Sequence, residues 1–254
     1  MNSPASWPPA EPQPVPAPPP GRPRVPWTVG DVARGVLVPL LLYGVLFVAR
    51  RVLGEAPTPT APATGARLLT GLLVILFQLT LLIPALWALR KYRVGPDALG
   101  LRGFAVLPGC GLVIALLIMG YLFTGAWGLF LQQYGLRAQP SPLPVFGSGI
   151  AGLALALLAG GIVAPVTEEI FFRGFLYPAL RNRLGVFWGI AFAAAIFAAA
   201  HLQPLALPAL FALGVLLTVL YQSTGSLWPG ILMHSTINTV ALVALYIIGD
   251  NRPV

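Results

Sequence analysis

Charge is what this chain most lacks. Only 9% of its 254 residues are charged and 57% are hydrophobic, with a mean hydropathy of +0.84. An ordinary soluble domain carries roughly 25% charged residues. The chain cannot clothe a soluble domain of this size, which excludes the soluble enzyme and soluble binding classes. Cysteine is limited to Cys110, inside an apolar run. An intramolecular disulfide and a cysteine-built metal site are therefore excluded, and Cys110 reads as a small buried hydrophobe. There are only seven acidic residues and two histidines. No strand-like alternation and no internal repeat occurs. The net charge of +8 does not point to nucleic acid. The basic residues stand singly or in small groups between apolar runs, as they do beside membrane spans.

What the chain has in abundance is apolar length. A spanning helix needs about 20 mostly apolar residues. Runs of that order predict spans near 33–53, 68–89, 104–131, 149–180, 186–203, 206–222 and 227–248. The fold class is therefore all-α, a multi-pass transmembrane bundle of about seven spans. Proline and glycine punctuate the linkers, at Pro57, Pro59, Pro62, Gly95, Pro96, Pro140, Pro142, Pro144, Gly185, Pro204, Pro208 and Gly225. Residues 1–27 differ in kind. Eleven of the 27 prolines lie between Pro4 and Pro26, and such a segment can neither sustain a helical ladder nor bury much surface. It reads as a disordered tail, without the pattern of a signal peptide. Residues 28–140 then form an N-terminal set of helices, and 141–250 a second unit. With the N-terminus inside, nine basic residues fall on inner segments and five on outer ones, which favours that orientation. Gly152, Ala156 and Gly160, and the alanines of 193–200, predict close helix approach in lipid.

Of the acidic residues, only Glu168 and Glu169 fall well inside an apolar run, at Ala164-Pro165-Val166-Thr167-Glu168-Glu169-Ile170-Phe171-Phe172-Arg173. A charged side chain at the centre of a span costs about 2.5–3.5 kcal/mol on insertion scales, so a polar surrounding is expected. Glu169 and Arg173 share a helix face at i,i+4 spacing and can pair. Glu168 lies about 100° around the helix and is free to face water or a substrate. By themselves these three residues fit equally well a buried ion cluster that holds helices together.

The two histidines change the balance. His201 closes Phe197-Ala198-Ala199-Ala200-His201, and His234 opens His234-Ser235-Thr236-Ile237-Asn238, where the outer two residues share a helix face. Pro165, ahead of the glutamates, can kink the helix and open a polar pocket. If the chain reverses near Gly185, Glu168 and His201 come to similar depth on antiparallel neighbours, at 1.5 Å rise per residue. Both histidines and both membrane glutamates thus fall in one stretch, which favours one shared site.

These motifs resemble those of the CAAX protease and bacteriocin-processing family, the type II CAAX prenyl endopeptidases and bacterial Abi proteins. Glu168 to Arg173 is similar to its Glu-Glu-x-x-x-Arg motif, Phe197 to His201 to its Phe-x-x-x-His motif, and His234 to Asn238 to its His-x-x-x-Asn motif. The three occur in the family order, over roughly 150–245. The resemblance implies an all-helical intramembrane endopeptidase, with 141–250 as its catalytic core. It implies that Glu168, with His201, positions and deprotonates the attacking water. His234 and Asn238 would stabilise the oxyanion, and Glu169 and Arg173 would support them. It implies a membrane-associated protein or peptide as substrate, in the lipid bilayer of the cell membrane, and no nucleic acid. A water activated without metal is the favoured reading. Zn²⁺ held by Glu168, His201 and His234 is the alternative, since two histidines, a glutamate and an open position suit it. Two rival functions remain open from sequence. One is a proton or ion transporter, for which the first three spans offer little beyond Gln78 and Thr80. The other is a catalytically silent scaffold or immunity protein of the same fold.

Overall fold

In lipid an apolar run can satisfy its backbone only by coiling on itself, and helices are what form. The computed structural model describes residues 25–52, 64–136 and 143–248. Among these there is no strand. Helix α1 spans Val29–Val52, α2 Thr64–Thr80, α3 Leu82–Tyr92 and α4 Val106–Gln132, with a 3₁₀ turn at Pro96–Leu99. A short α5, Leu143–Phe146, precedes α6, Gly149–Ala156. The chain then stays helical through π-wound Leu157–Val163, α7 at Ala164–Glu168 and π-wound Glu169–Leu176 into α8, Tyr177–Ala200. Helices α9, Leu207–Thr224, and α10, Trp228–Ile248, complete the order. Expected residues 1–24 of the tail, and the linker prolines Pro57, Pro59, Pro62, Pro140 and Pro142, lie outside the described residues.

Among the described residues, five helices are long and apolar enough to cross a membrane: Leu68–Tyr92, Val106–Gln132, Gly149–Ala200, Pro204–Thr224 and Trp228–Ile247. The expected count of about seven is therefore approximate. The 52-residue stretch Gly149–Ala200 holds two of the expected spans. They meet at Gly185, whose φ of 79° and ψ of 177° break the helix as the sequence predicted. Large apolar side chains such as Leu72, Leu76, Ile114, Ile118 and Phe187 face outward, where only lipid tails would solvate them without penalty. This is an integral membrane protein. Cys110, expected to be buried, is half-buried in α4.

Two features set up the site. Each π-wound stretch ends two residues before a proline, Pro165 or Pro178. A proline has no N–H to donate and its ring presses on the carbonyl four residues back. Widening the preceding turn to the i→i+5 pattern relieves that crowding. The expected small-residue packing also appears. Ala194 is fully buried, and a Cβ built on Gly214 would stand 2.9 Å from Ala194 Cα. Helices α8 and α9 touch there through backbone, which holds the far half of α8 firmly in place.

The N-terminal side is anchored at its mouth. Thr28 and Asp31 form a capping box on α1. The Asp31 carboxylate accepts from the Thr28 N–H at 2.9 Å, and the Asp31 N–H donates to Thr28 Oγ1 at 3.3 Å. Lys91 and Tyr92 of α3 donate to the same carboxylate. Burial alone would push the Asp31 carboxyl up, but the bonds from Lys91, Thr28 and Tyr92 outweigh it and hold it well below the usual carboxylate range. A carboxylate held low stabilises the fold above its unfolded-state value and loses that contribution as pH falls through its folded-state value. Asp31→Asn is expected to cost about 1–3 kcal/mol at neutral pH. The gap to the unsubstituted protein should close in strong acid, as read by thermal unfolding in detergent.

Trp27, at the end of the expected tail, is 1% exposed, and its Nε1 donates to Phe175 O at 2.9 Å. Asn182 Nδ2 donates to Val25 O at 3.2 Å. Residues 25–27 therefore pack on the bundle, against the π-wound turn that carries Arg173.

Candidate functional site

The centre of the site is a chain of buried polar groups drawn from three parts of the fold. Arg173 donates from Nη1 to Glu169 Oε1 at 2.8 Å, the expected i,i+4 pair, with both side chains almost fully buried. His234 of α10 brings Nδ1 to the same oxygen at 2.9 Å. Its Nε2 lies 3.9 Å from Glu168 Oε2. That Glu168 oxygen is buried and has no hydrogen-bond partner among the described residues. The other, Oε1, accepts from Gln78 Nε2 of α2 at 3.1 Å. Glu168 and Glu169 thus point to different partners, as their offset around the helix required. A Cβ at position 230 would stand 3.0 Å from Glu169 Oε2, so Gly230 makes the room that lets this carboxylate lie between α10 and its own helix.

Phe197 is the apolar hub of the site. It is fully buried. The Arg173 guanidinium lies over its ring at 4.4 Å, His201 stands 4.7 Å from it and His234 5.9 Å, centroid to centroid for the rings. Phe172 packs edge-on at 5.1 Å. The two histidines therefore flank one aromatic ring. His201 ends α8, and its Nδ1 meets Phe197 O at 2.8 Å. A backbone carbonyl only accepts, so Nδ1 carries the hydrogen, and the neutral ring keeps Nε2 as an acceptor. The next residue, Leu202, has a positive φ of 53°. This left-handed step is uncommon for leucine, and it ends the helix immediately after the imidazole.

Asn238 is placed differently from the other three expected catalytic residues. Its Nδ2 donates to Gly160 O at 2.9 Å, a carbonyl in the first π-wound stretch. One amide hydrogen is thus engaged in joining α10 to that stretch, and the amide has a second. Among the described residues no three His, Cys, Asp or Glu side chains converge closely enough to hold a metal ion. Glu168, His201 and His234, the ligand set of the Zn²⁺ alternative, form no such group here.

Two contributors from the N-terminal half escaped the motif reading. Gln78 is one; its signal was that it is one of the few polar side chains in the first three spans. The other is the 3₁₀ turn and its loop, which latch the start of α10. Leu227 N–H donates to Gly100 O at 2.9 Å, Arg102 Nε to Gly225 O at 2.7 Å, and Ser226 Oγ to Arg102 O at 2.6 Å. These bonds set where α10 begins and hence the height of His234. No sequence pattern announces them, since all three are accepted by backbone carbonyls, which residues of any type carry.

A Bacillus subtilis (strain 168) protein named "Putative membrane peptidase YdiL" is 29% identical over 94 residues, covering 37% of this chain and 38% of that protein. An Escherichia coli protein named "Uncharacterized 24.3 kDa protein" is 32% identical over 124 residues, covering 46% of this chain and 57% of that protein. The matches span less than two thirds of either relative. No solved structure matches the chain. Residues 150–240, which hold Glu168, Glu169, Arg173, His201, His234 and Asn238, match the family model for Rce1-like type II CAAX prenyl endopeptidases, and it is to this family that the segment is similar.

Proposed function

We propose that this chain is an intramembrane endopeptidase that cleaves a membrane-associated protein or peptide with water activated by Glu168. The observation that carries the reading is the unpartnered, buried Glu168 Oε2 facing His234 Nε2 at 3.9 Å. A carboxylate oxygen left without a donor in a dry interior is costly, and a bound water would relieve that cost and stand ready for deprotonation. His201, with Nδ1 committed to Phe197 O, offers Nε2 as the partner that orients this water. His234 and Asn238 serve the oxyanion. Nδ1 of His234 faces a carboxylate that only accepts, so its hydrogen is spent there. Donation to an oxyanion therefore requires Nε2–H as well, an imidazolium between Glu168 and Glu169. The 3.9 Å approach also favours a second reading, in which neutral His234 rather than His201 shares the base role with Glu168. Nitrogen-15 NMR of His234 separates the two: both nitrogens protonated support the oxyanion role, and an unprotonated Nε2 supports the base role.

The substrate class follows from burial. The site is enclosed by helices with apolar outer faces, so a peptide bond reaches it from the lipid or its edge, and the cell membrane is the proposed location. The test is a comparison of membrane-protein fragments from cells with and without this protein, followed by cleavage of the identified substrate by purified protein. Cleavage that survives a strong chelator supports the metal-free mechanism, and loss restored by Zn²⁺ would overturn it. Asn238→Ala is expected to lower cleavage about 10²–10³-fold through the lost oxyanion donor. Because the same side chain holds Gly160 O, thermal stability is measured alongside; a fall in cleavage that only follows unfolding would remove Asn238 from the oxyanion site.

A further inference from the structure

Gln78 lies outside the 150–240 segment, on a helix with no motif, yet among the described residues it is the one that donates a hydrogen bond to the Glu168 side chain, at 3.1 Å. We infer that Gln78 is a positioning residue for Glu168. Its amide holds Oε1, so that Oε2 is the oxygen presented to His234 and to water. The inference rests on the proposed endopeptidase reading, which it deepens.

The chemistry of the position supports it. A glutamine in an apolar run is expensive unless its amide is satisfied. Gln78 stands in the middle of the predicted span 68–89, among leucine, isoleucine and phenylalanine. Its partner is one of three buried carboxylates among the described residues, Asp31, Glu168 and Glu169, and lies on a helix 90 residues further along the chain. A glutamine kept only for helix packing would serve equally well against any carbonyl. A glutamine N–H on a carboxylate does more, because a hydrogen bond to the charged form favours that form. Besides His201, which the proposed mechanism sets on the same water, the charged or titratable groups facing Glu168 among the described residues are His234 on α10 and Glu169 and Arg173 on its own helix. Those three are already tied to one another through Glu169 Oε1. Gln78 is the neighbour whose change would leave their bonds intact.

Two substitutions separate positioning from packing. Gln78→Glu keeps the shape and replaces the donor with an acceptor. Gln78→Met keeps the length and removes the donor. A packing role predicts no change in pH dependence for Gln78→Met, whereas Gln78→Glu sets a second carboxyl beside Glu168 under either role and reports only that the two side chains are neighbours. A positioning role predicts that the acidic limb of the pH–rate profile moves to higher pH by about one unit in Gln78→Met, the displacement a charged hydrogen bond of ordinary strength produces. The shift should be larger in Gln78→Glu, where two carboxyls compete for one proton. kcat should fall and KM hold, because the residue touches no substrate. The full-length chain in lipid nanodiscs is assayed on a fluorogenic peptide ending in a prenylated CAAX sequence. An activity-free readout runs beside it: the infrared carboxyl band assigned to Glu168 by its loss in Glu168→Gln, titrated in each variant. If the unsubstituted protein does not cleave the probe, the endopeptidase reading loses its support on this substrate, while the infrared titration still decides the inference. A Glu168 midpoint that is the same in the unsubstituted protein and in Gln78→Met would overturn it.

Discussion

Glu168→Gln is expected to reduce cleavage about 10²–10⁴-fold, the usual cost of removing a general base, with the bundle still folded. The substitution keeps the side chain's shape and removes only its ability to take a proton. Gln78 can turn its amide to meet the new one, so the α2 contact at 3.1 Å survives in altered polarity. The ion pair of Glu169 with Arg173 and the His234 bond to Glu169 are untouched, because neither uses Glu168. Measuring one cellular phenotype beside one cleavage product in this variant separates the three function classes. An enzyme loses both at unchanged expression and thermal stability. A scaffold keeps its full effect without cleavage, which would remove catalysis from the explanation. A transporter shows altered ion flux and no product in any variant.

Arg173→Met should have the largest effect on stability, about 3–5 kcal/mol, the range for breaking a buried ion pair by removing one partner. Arg173 is 1% exposed and Glu169 0%. With the guanidinium gone, the Glu169 carboxylate would keep only His234 as a counter-group in a dry interior. The loss extends to Phe197, whose ring lies under the guanidinium at 4.4 Å, and to Gly214 O, which accepts from Arg173 Nη2 at 3.3 Å. The double variant Glu169→Gln with Arg173→Met should recover much of the loss, because neutralising both partners removes the stranded charge. Thermal unfolding of the four proteins in detergent gives the coupling directly. Equal stability of the single and double variants would show that packing on Phe197, and not charge, dominates at this position.

Sequence by itself determined a good deal here. Composition alone placed the chain in the membrane and made it helical, because an unpaired backbone cannot cross lipid. The spacing of Glu169 and Arg173 predicted their pair, since four residues are one turn on any helix. The breaks at Gly185 and near Pro204 were legible because glycine and proline act locally. The six motif residues were legible too, as the scarce polar side chains of an apolar stretch.

What only the tertiary structure decided is how those residues are shared out. Asn238 could not be read as holding Gly160 O, nor His234 as standing closer to Glu168 than its role required, because both depend on the rotation of α10 against a π-wound helix. Two prolines set that winding, and their effect on phase is not visible in a helical period of 3.6. Nor could Gln78 be assigned to Glu168, since a contact between residues 90 positions apart leaves no local signature. A sequence lists which groups must escape lipid; packing alone chooses their partners, because many pairings would satisfy the same need and only one fits the helix crossings.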